Sequence, residues 1–394
     1  MKDLKQEINN LAKEYFEEIV AIRRHLHKHP ELSFREFETS GFICSRLDEW
    51  GVKYRKDIVK TGIVAEIEGE MPGKIIGFRA DIDALPIREE NDFDFKSINE
   101  GIMHACGHDV HTSCLLGSIR ILLNFKDKLK GKIKFVFQPG EERIPGGAKL
   151  MIEEDLFDGE EPEIMIAQHV YPELESGKTG FRPGMYMASS DEIYIRVKGK
   201  GGHAALPDRL TDPVLIASHL VIALQQVVSR NNKPGVPSVL SIGKISAEGA
   251  VNVIPETVSL EGTFRTMDEE WRRKAHEKIE IITRNLCSSM GGKAEIEIRK
   301  GYPVLTNDHQ LTARLKDLAI EFTGKENVED LDIRMTAEDF AYFSQKYPSV
   351  LFRLGTAKAG EEAAALHSSR LNIDEKAIQL SMGLFSWMAL NLMK

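Results

Sequence analysis

Residues 74–83 read KIIGFRADID, and residues 132–142 read KIKFVFQPGEE. Each is a short apolar run of β character, Lys74–Phe78 and Lys132–Gln138. Each breaks into carboxylates, Asp81 and Asp83 after the first and Glu141 and Glu142 after the second. Between them, Val110–Phe125 carries a helical apolar pattern. Two more β-like runs flank the set, Gly62–Glu68 and Glu163–His169 (EIMIAQH). Strands alternating with helices predict an α/β sheet that is at least partly parallel. Upstream, Leu4, Ile8, Leu11, Tyr15, Ile19 and Ile22 recur at helical spacing, which predicts one amphipathic helix over the first ~25 residues. A second helical pattern covers Glu36–Trp50.

The pattern changes near residue 185. A period-two strand, Glu192–Lys198, leads through the glycine-rich loop Gly199–Gly202 to a helix, Asp212–Ser229. Ser238–Ser246 and Thr257–Arg265 read as strands, Glu269–Met290 as a helix and Ala294–Arg299 as a strand. The order β-α-β-β-α-β is that of a ferredoxin-like unit. Helix and strand patterns of the first kind resume at His309. The expectation is a small α+β domain, residues 188–300, inserted into a discontinuous α/β domain formed by 1–187 and 301–394.

Bulk properties agree. A chain of 394 residues predicts about two domains at ~100–200 residues each. Hydrophobic residues at 42% and charged residues at 29% exclude a disordered or collagen-like chain. Four cysteines exclude a disulfide scaffold and fit a reducing compartment. The net charge of −9, without a dense basic stretch, gives no nucleic-acid footprint. The N-terminus has no apolar signal core, and no window approaches ~18–20 apolar residues, so no membrane span is expected and a cytoplasmic location is.

Polar residues gather where the strands of the larger domain end. Asp81 and Asp83, Glu141 and Glu142, and His169 follow three strands, while Met103-His104-Ala105-Cys106-Gly107-His108-Asp109 precedes the helix. Ligands bind outside the carboxyl ends of strands in open α/β sheets. Cys, His and Glu together suit zinc, Mn, Co or Ni, whereas Ca and Mg prefer oxygen alone. Adjacent Glu141 and Glu142 divide into two roles, one binding metal and one taking a proton from a metal-activated water.

Each signal has a plainer reading. Cys106 alone reads as a small core residue, Glu141-Glu142 as solvated surface and His169 as a core histidine. His25, His27 and His29 read as structural or capping, with Pro30 ending their helix. Cys44, Cys114 and Cys287 read as core, and His219 and His276 as solvated. A cysteine protease built on Cys106 with His108 or His111 lacks a distinct orienting third group.

Taken together the motifs resemble the amidohydrolase branch of the metallopeptidase family that contains aminoacylase and carboxypeptidase G. The matching stretches are Arg24-His25-Leu26-His27 with Pro30-Glu31, Phe78 to Pro86, Met103 to Asp109 and Phe137 to Glu142. They continue with Gly201 to Ala205, Asn252 to Pro255, Glu338-Asp339-Phe340 and Leu366-His367-Ser368. The resemblance implies two divalent transition-metal ions (Zn, Mn, Co or Ni) held by Cys106, His108, Glu142, His169 and His367, with Glu141 as general base. It implies that Asp83, and with it Asp81, orients a metal ligand. It implies that His203 stabilises an oxyanion in a partner subunit, and that Asn252 and Arg265 contact a substrate carboxylate. The inserted domain would then be a lid and dimerisation domain, giving a homodimer or a dimer of dimers. The implied substrate is a small N-acyl amino acid. A dipeptidase or carboxypeptidase of the same family is the alternative, and a non-catalytic metal-binding homologue a further one.

Three positions depart from the family pattern. Asp208 stands where histidine often follows proline. Gly140 stands where alanine is common, a small-for-small exchange. Met335-Thr336-Ala337 stands where Gly-Ser is usual.

Overall fold

The computed structural model describes residues 2–361 and 364–393. The chain divides into two compact units. The first comprises 1–184, 306–332 and 339–394; the second comprises 185–305 and 333–338.

In the first unit the two opening stretches become neighbouring parallel strands, Met71–Asp81 and Lys130–Gln138, in register from Ile75↔Lys132 to Asp81↔Gln138. They belong to an eight-stranded mixed sheet. Its order is Lys53–Ile58, Gly62–Glu68, Lys130–Gln138, Met71–Asp81, Ile164–Glu175, Ser349–Ala357, Thr179–Phe181, Val328–Asp330. The four central strands are parallel to one another. Apolar runs at these positions are buried on both faces, as parallel strands require. Phe78, Phe135, Phe137 and Phe352 are buried in a continuous core with Phe385 and Trp387 of the C-terminal helix Lys376–Leu392.

Strand Met71–Asp81 lies between the next two strands of the chain, Lys130–Gln138 on one side and Ile164–Glu175 on the other. The connections therefore diverge at its carboxyl end, which is the place where open α/β sheets leave a crevice. Pairing toward Ile164–Glu175 stops at Arg79↔Ala167, so the next residues of both strands part there.

Two sequence expectations are corrected in this unit. The N-terminal pattern forms two helices, Lys2–Glu14 and Phe16–Lys28, separated at Tyr15. The apolar stripe runs through both, because Tyr15 and Ile19 still donate their N–H groups to the carbonyls four residues back. Strand Ile164–Glu175 does not end before His169 but runs through it, paired with Ser349–Ala357 at Arg353↔His169.

The second unit holds a four-stranded antiparallel sheet of order Ser238–Ala247, Thr257–Thr266, Asp191–Lys198, Lys293–Lys300. Helices Pro213–Arg230 and Glu269–Ser289 each begin at an aspartate cap, Asp212 and Asp268, whose side chains accept backbone N–H groups of the first turn. Residues 333–338 join this unit through Ala188, whose N–H is shared by the carbonyls of Arg334 and Thr336. His276, expected to be solvated, is buried: its Nε2 lies 2.7 Å from Asp191, which also takes two hydrogen bonds from Arg272. Among the described residues one helix, Pro213–Arg230, is long and apolar enough to cross a membrane. One face of it, Ile216, Ala217, Leu220, Leu224 and Val227, is buried inside this unit.

Candidate metal centre

Gly107 opens the site. It caps helix His108–Leu122 in the left-handed region, φ +81°, and a Cβ there would fall 2.5 Å from Val170. Only glycine turns the chain this tightly, and the turn sets Cys106 and His108 on the same side. The thiol of Cys106 lies 3.4 Å from His169 Nε2. Donor atoms of Cys106, His108 and His169 lie within 4.8 Å of one another, and so do those of Cys106, Glu142 and His367. Cys106 is common to both groups. A third group joins His108 to Glu141 and Glu142. Thus Cys106, His108, Glu141, Glu142, His169 and His367 come together in the first unit.

Neighbouring groups fix the ring orientations. His108 Nδ1 donates to the carbonyl of Asp83 at 2.9 Å and lies 3.2 Å from its carboxylate. That leaves His108 Nε2 buried without a hydrogen-bond partner, 3.9 Å from both Glu141 and Glu142. His169 Nδ1 donates to the Val170 carbonyl, which turns Nε2 toward Cys106. His367 Nε2 lies 3.3 Å from Glu142, and its backbone is left-handed at φ +64°, a conformation that costs energy for a side-chain-bearing residue. An N–H bond from His367 to the Ala105 carbonyl at 2.8 Å holds it there.

The two aspartates separate. Asp83 touches His108 and accepts from Ser33 and from the Glu142 N–H. Asp81 pairs with His111 Nδ1 at 2.6 Å and with Arg79 at 2.7 Å, and its contact with His108 is longer, 3.7 Å to Nε2. His111 Nε2 accepts the Val170 N–H, so both its nitrogens are engaged. This removes the His111 form of the protease reading, because His111 has no nitrogen left to deprotonate a thiol. Burial, then Glu142, Glu141 and Asp81, push the Cys106 thiol well above its ordinary value, the opposite of a nucleophilic cysteine.

The charge pattern fits cations. Burial alone would lower His108, yet Asp81 and Asp83 raise it to about 10. A proton on His108 answers an excess of carboxylates that a divalent ion would neutralise. The same burial works against Asp81, which His108, His111 and Arg79 hold well below the usual carboxylate range. The unpartnered Nε2, a thiol, two further imidazoles and Glu142 are the donor set of borderline divalent transition metals.

The family model of Peptidase family M20/M25/M40 matches residues 77–388. The chain belongs to this family. It is 41% identical over 376 residues to an N-acetyl-L-cysteine deacetylase of Bacillus subtilis, covering 95% of this chain and 88% of the relative. It is 42% identical over 305 residues to an N-acyl-L-amino acid amidohydrolase of Geobacillus stearothermophilus, covering 77% and 82%. Among solved structures, a dinuclear metal binding peptidase of the M20 family from Bacillus subtilis matches with a TM-score of 0.82 at 31% identity, covering 97% of this chain and 99% of that one. The family resemblance and the α/β fold read from the sequence are therefore borne out.

The remaining residues singled out in the sequence lie in the second unit. His203 is exposed in a two-residue strand paired with Val253–Ile254. Its Nδ1 accepts the Ala205 N–H at 3.1 Å, so the neutral ring carries its proton on Nε2. The Asn252 carbonyl accepts the Ala204 N–H, while Arg265 is half-buried and donates to the Met335 carbonyl. Met335-Thr336-Ala337 thus lies beside Arg265 within this unit. Asp208 is exposed on the short turn Pro207–Arg209.

Sequence reading overlooked two supports of the centre. Arg79 binds Asp81, Gln138 and Asp339 together, and Gln138 and the Ala148 N–H also reach Asp339. The signal was present, since all three polar residues fall inside the quoted motifs. The segment Ser33–Glu36 left no such signal.

Proposed function

We propose that this chain hydrolyses the amide bond of small N-acyl amino acids and that Cys106, His108, Glu142, His169 and His367 hold two divalent ions, Zn, Mn, Co or Ni, for the purpose. The observation that carries this reading is the buried, unpartnered His108 Nε2 among those donors, with a second carboxylate, Glu141, beside it. The N-acyl amino acid relatives support the substrate class. Bound there, such ions would polarise the amide carbonyl and lower the pKa of water.

Glu141 takes the proton of the attacking water and returns it to the departing amine. Asp83 keeps His108 in the tautomer that presents Nε2, and Asp81 holds the Arg79 and His111 framework around it. His203 offers Nε2–H to the oxyanion in the site of a partner subunit, a bond that strengthens as charge develops. Asn252 and Arg265 read the free carboxylate, and a guanidinium donating once to Met335 keeps further N–H groups for it.

The second unit acts as lid and dimerisation domain in this reading. Val214, Leu215 and Ile222 are exposed on helix Pro213–Arg230, and Val239 and Ile245 on the edge strand Ser238–Ala247. An apolar edge strand is a template for pairing with a second copy. Four cysteines without a disulfide agree with a reducing, cytoplasmic setting.

Glu141→Gln tests the chemistry. Metal content stays intact and turnover falls by about 10²–10⁴-fold, the usual worth of a positioned acid–base group. Near-normal turnover of Glu141→Gln refutes the assignment. A panel of N-acetyl and N-benzoyl amino acids against unblocked dipeptides, on metal-stripped enzyme reloaded with each of the four metals, fixes substrate class and metal. Hydrolysis confined to the dipeptides overturns the amidohydrolase reading.

A further inference from the structure

We infer that Glu36, through the segment Ser33–Glu36, is a positioning residue for the Glu141–Glu142 turn. The inference rests on the reading that those two carboxylates do the chemistry.

Glu36 is wholly buried, and among the described residues its carboxylate is held by neutral donors with no lysine or arginine bonded to it. Instead one oxygen of its carboxylate accepts two backbone N–H groups, from Gly140 at 2.9 Å and from Phe34 at 2.8 Å. The other oxygen accepts the Thr61 hydroxyl at 2.7 Å. Gly140 immediately precedes Glu141. Gly140 and Phe34 are both left-handed, at φ +63° and +64°. A single carboxylate oxygen thus ties together two left-handed backbone positions, of which Phe34 is the strained one, from segments over a hundred residues apart. The Phe34 ring lies flush against Gly140, and Ser33 bonds the same Asp83 oxygen that accepts the Glu142 N–H. Three contacts of one segment therefore grip the turn: Ser33 through Asp83 at Glu142, Phe34 by packing at Gly140, and Glu36 by hydrogen bond at Gly140.

A buried carboxylate without a cationic partner is costly, and burial with nearby Asp83 lifts Glu36 to about 7. An apolar side chain here would leave the Gly140 and Phe34 N–H groups and the Thr61 hydroxyl without their acceptor. Nor could it fix, through the Gly140 N–H, where the next two side chains point. Groups that support metal ligands in this indirect way change metal affinity or activity by about 10–100-fold when removed.

The test uses the full-length enzyme and three variants. Glu36→Gln keeps an acceptor for both N–H groups, and Thr61 can turn its hydroxyl to accept from the amide. Glu36→Asp keeps the charge but falls one methylene short of Gly140, and Glu36→Ala removes the acceptor. Three quantities are read: kcat and KM separately, cobalt affinity of the metal-stripped protein by absorption titration, and hydrogen exchange of the Gly140 and Glu142 amides. Glu36→Asp and Glu36→Ala are expected to lose about 10–100-fold in kcat and in cobalt affinity, with KM little changed and both amides exchanging faster. Glu36→Gln is expected within about threefold of the parent on every count, a loss well under that of removing a buried acceptor. If Glu36→Ala does not fold, Glu36→Asp alone decides. Parental kcat, cobalt affinity and exchange in folded Glu36→Asp overturn the inference, as does a Glu36→Gln that fails as badly as Glu36→Asp. Glu141→Gln run alongside separates the two levels: if it retains turnover, the chemical assignment has failed rather than the role of Glu36.

Discussion

Replacing Gly140 by alanine looks innocuous in the sequence, a methyl group in a motif where alanine is common. The structure makes it severe. Gly140 sits at φ +63°, and an added Cβ would fall 2.4 Å from Cε1 and Cζ of Phe34. The left-handed backbone costs about 1–2 kcal/mol for a residue with a side chain. Overpacking a well-filled site costs about 1–3 kcal/mol more. The ring cannot swing away cheaply, because Phe34 is itself left-handed and tied to Glu36. We therefore expect Gly140→Ala to destabilise the first unit by about 2–5 kcal/mol, the sum of the two costs. Urea unfolding followed by tryptophan fluorescence measures this. In a Trp271→Phe background the signal comes from Trp50 and Trp387, both in the first unit. Adding Phe34→Ala separates the two costs, since it relieves the clash and leaves the backbone term. The double-mutant cycle should show a coupling of about 1–3 kcal/mol. A single Gly140→Ala loss below about 0.5 kcal/mol, the size of an ordinary surface change, refutes the reasoning.

Other outcomes follow from the second unit. Burial works against Asp191, yet hydrogen bonds from His276 and Arg272 hold its carboxyl below the ordinary value. Its stabilisation is therefore present above an unfolded pKa of about 3.9 and lost as pH falls below it. Asp191→Asn should cost about 3–5 kcal/mol at neutral pH, and its deficit relative to the parent should narrow below about pH 4. Denaturation of both proteins at the two pH values checks this, and a deficit that widens in acid contradicts it. Ile222→Glu with Ile245→Lys puts charge on the exposed apolar helix and edge strand. Light scattering should show a dimeric parent and a monomeric, folded variant; an unchanged mass removes this face from the assembly.

Much of the first unit was legible in the sequence because its signals are local. An apolar run of five to seven residues ending in carboxylates reports a buried strand and its polar end without reference to the rest of the chain. Most of the residues proposed as divalent-ion donors, Cys106, His108, Glu142 and His367, fell inside short motifs, so their types could be read directly. The order of the longer elements between Asp191 and Lys300, β-α-β-β-α-β, was legible for the same reason. Position along an element was less so. His169 looked like a residue after a strand, yet it lies within one, since pairing with Ser349–Ala357 carries the strand on to Glu175.

What the sequence determined was chemistry by type: thiol, imidazole and carboxylate at the ends of apolar strands. What only the tertiary structure decided was who meets whom. Asp83 rather than Asp81 holds His108, because the strand ends at Asp81 and the chain turns beyond it. His276 is buried because Asp191, 85 residues earlier, lies against its helix. Glu36 reaches Gly140 across 104 residues. Such pairings depend on through-space distance, and no local periodicity encodes them. A motif names the atoms available for a reaction, and packing among segments distant in the chain chooses their angles and their proton states.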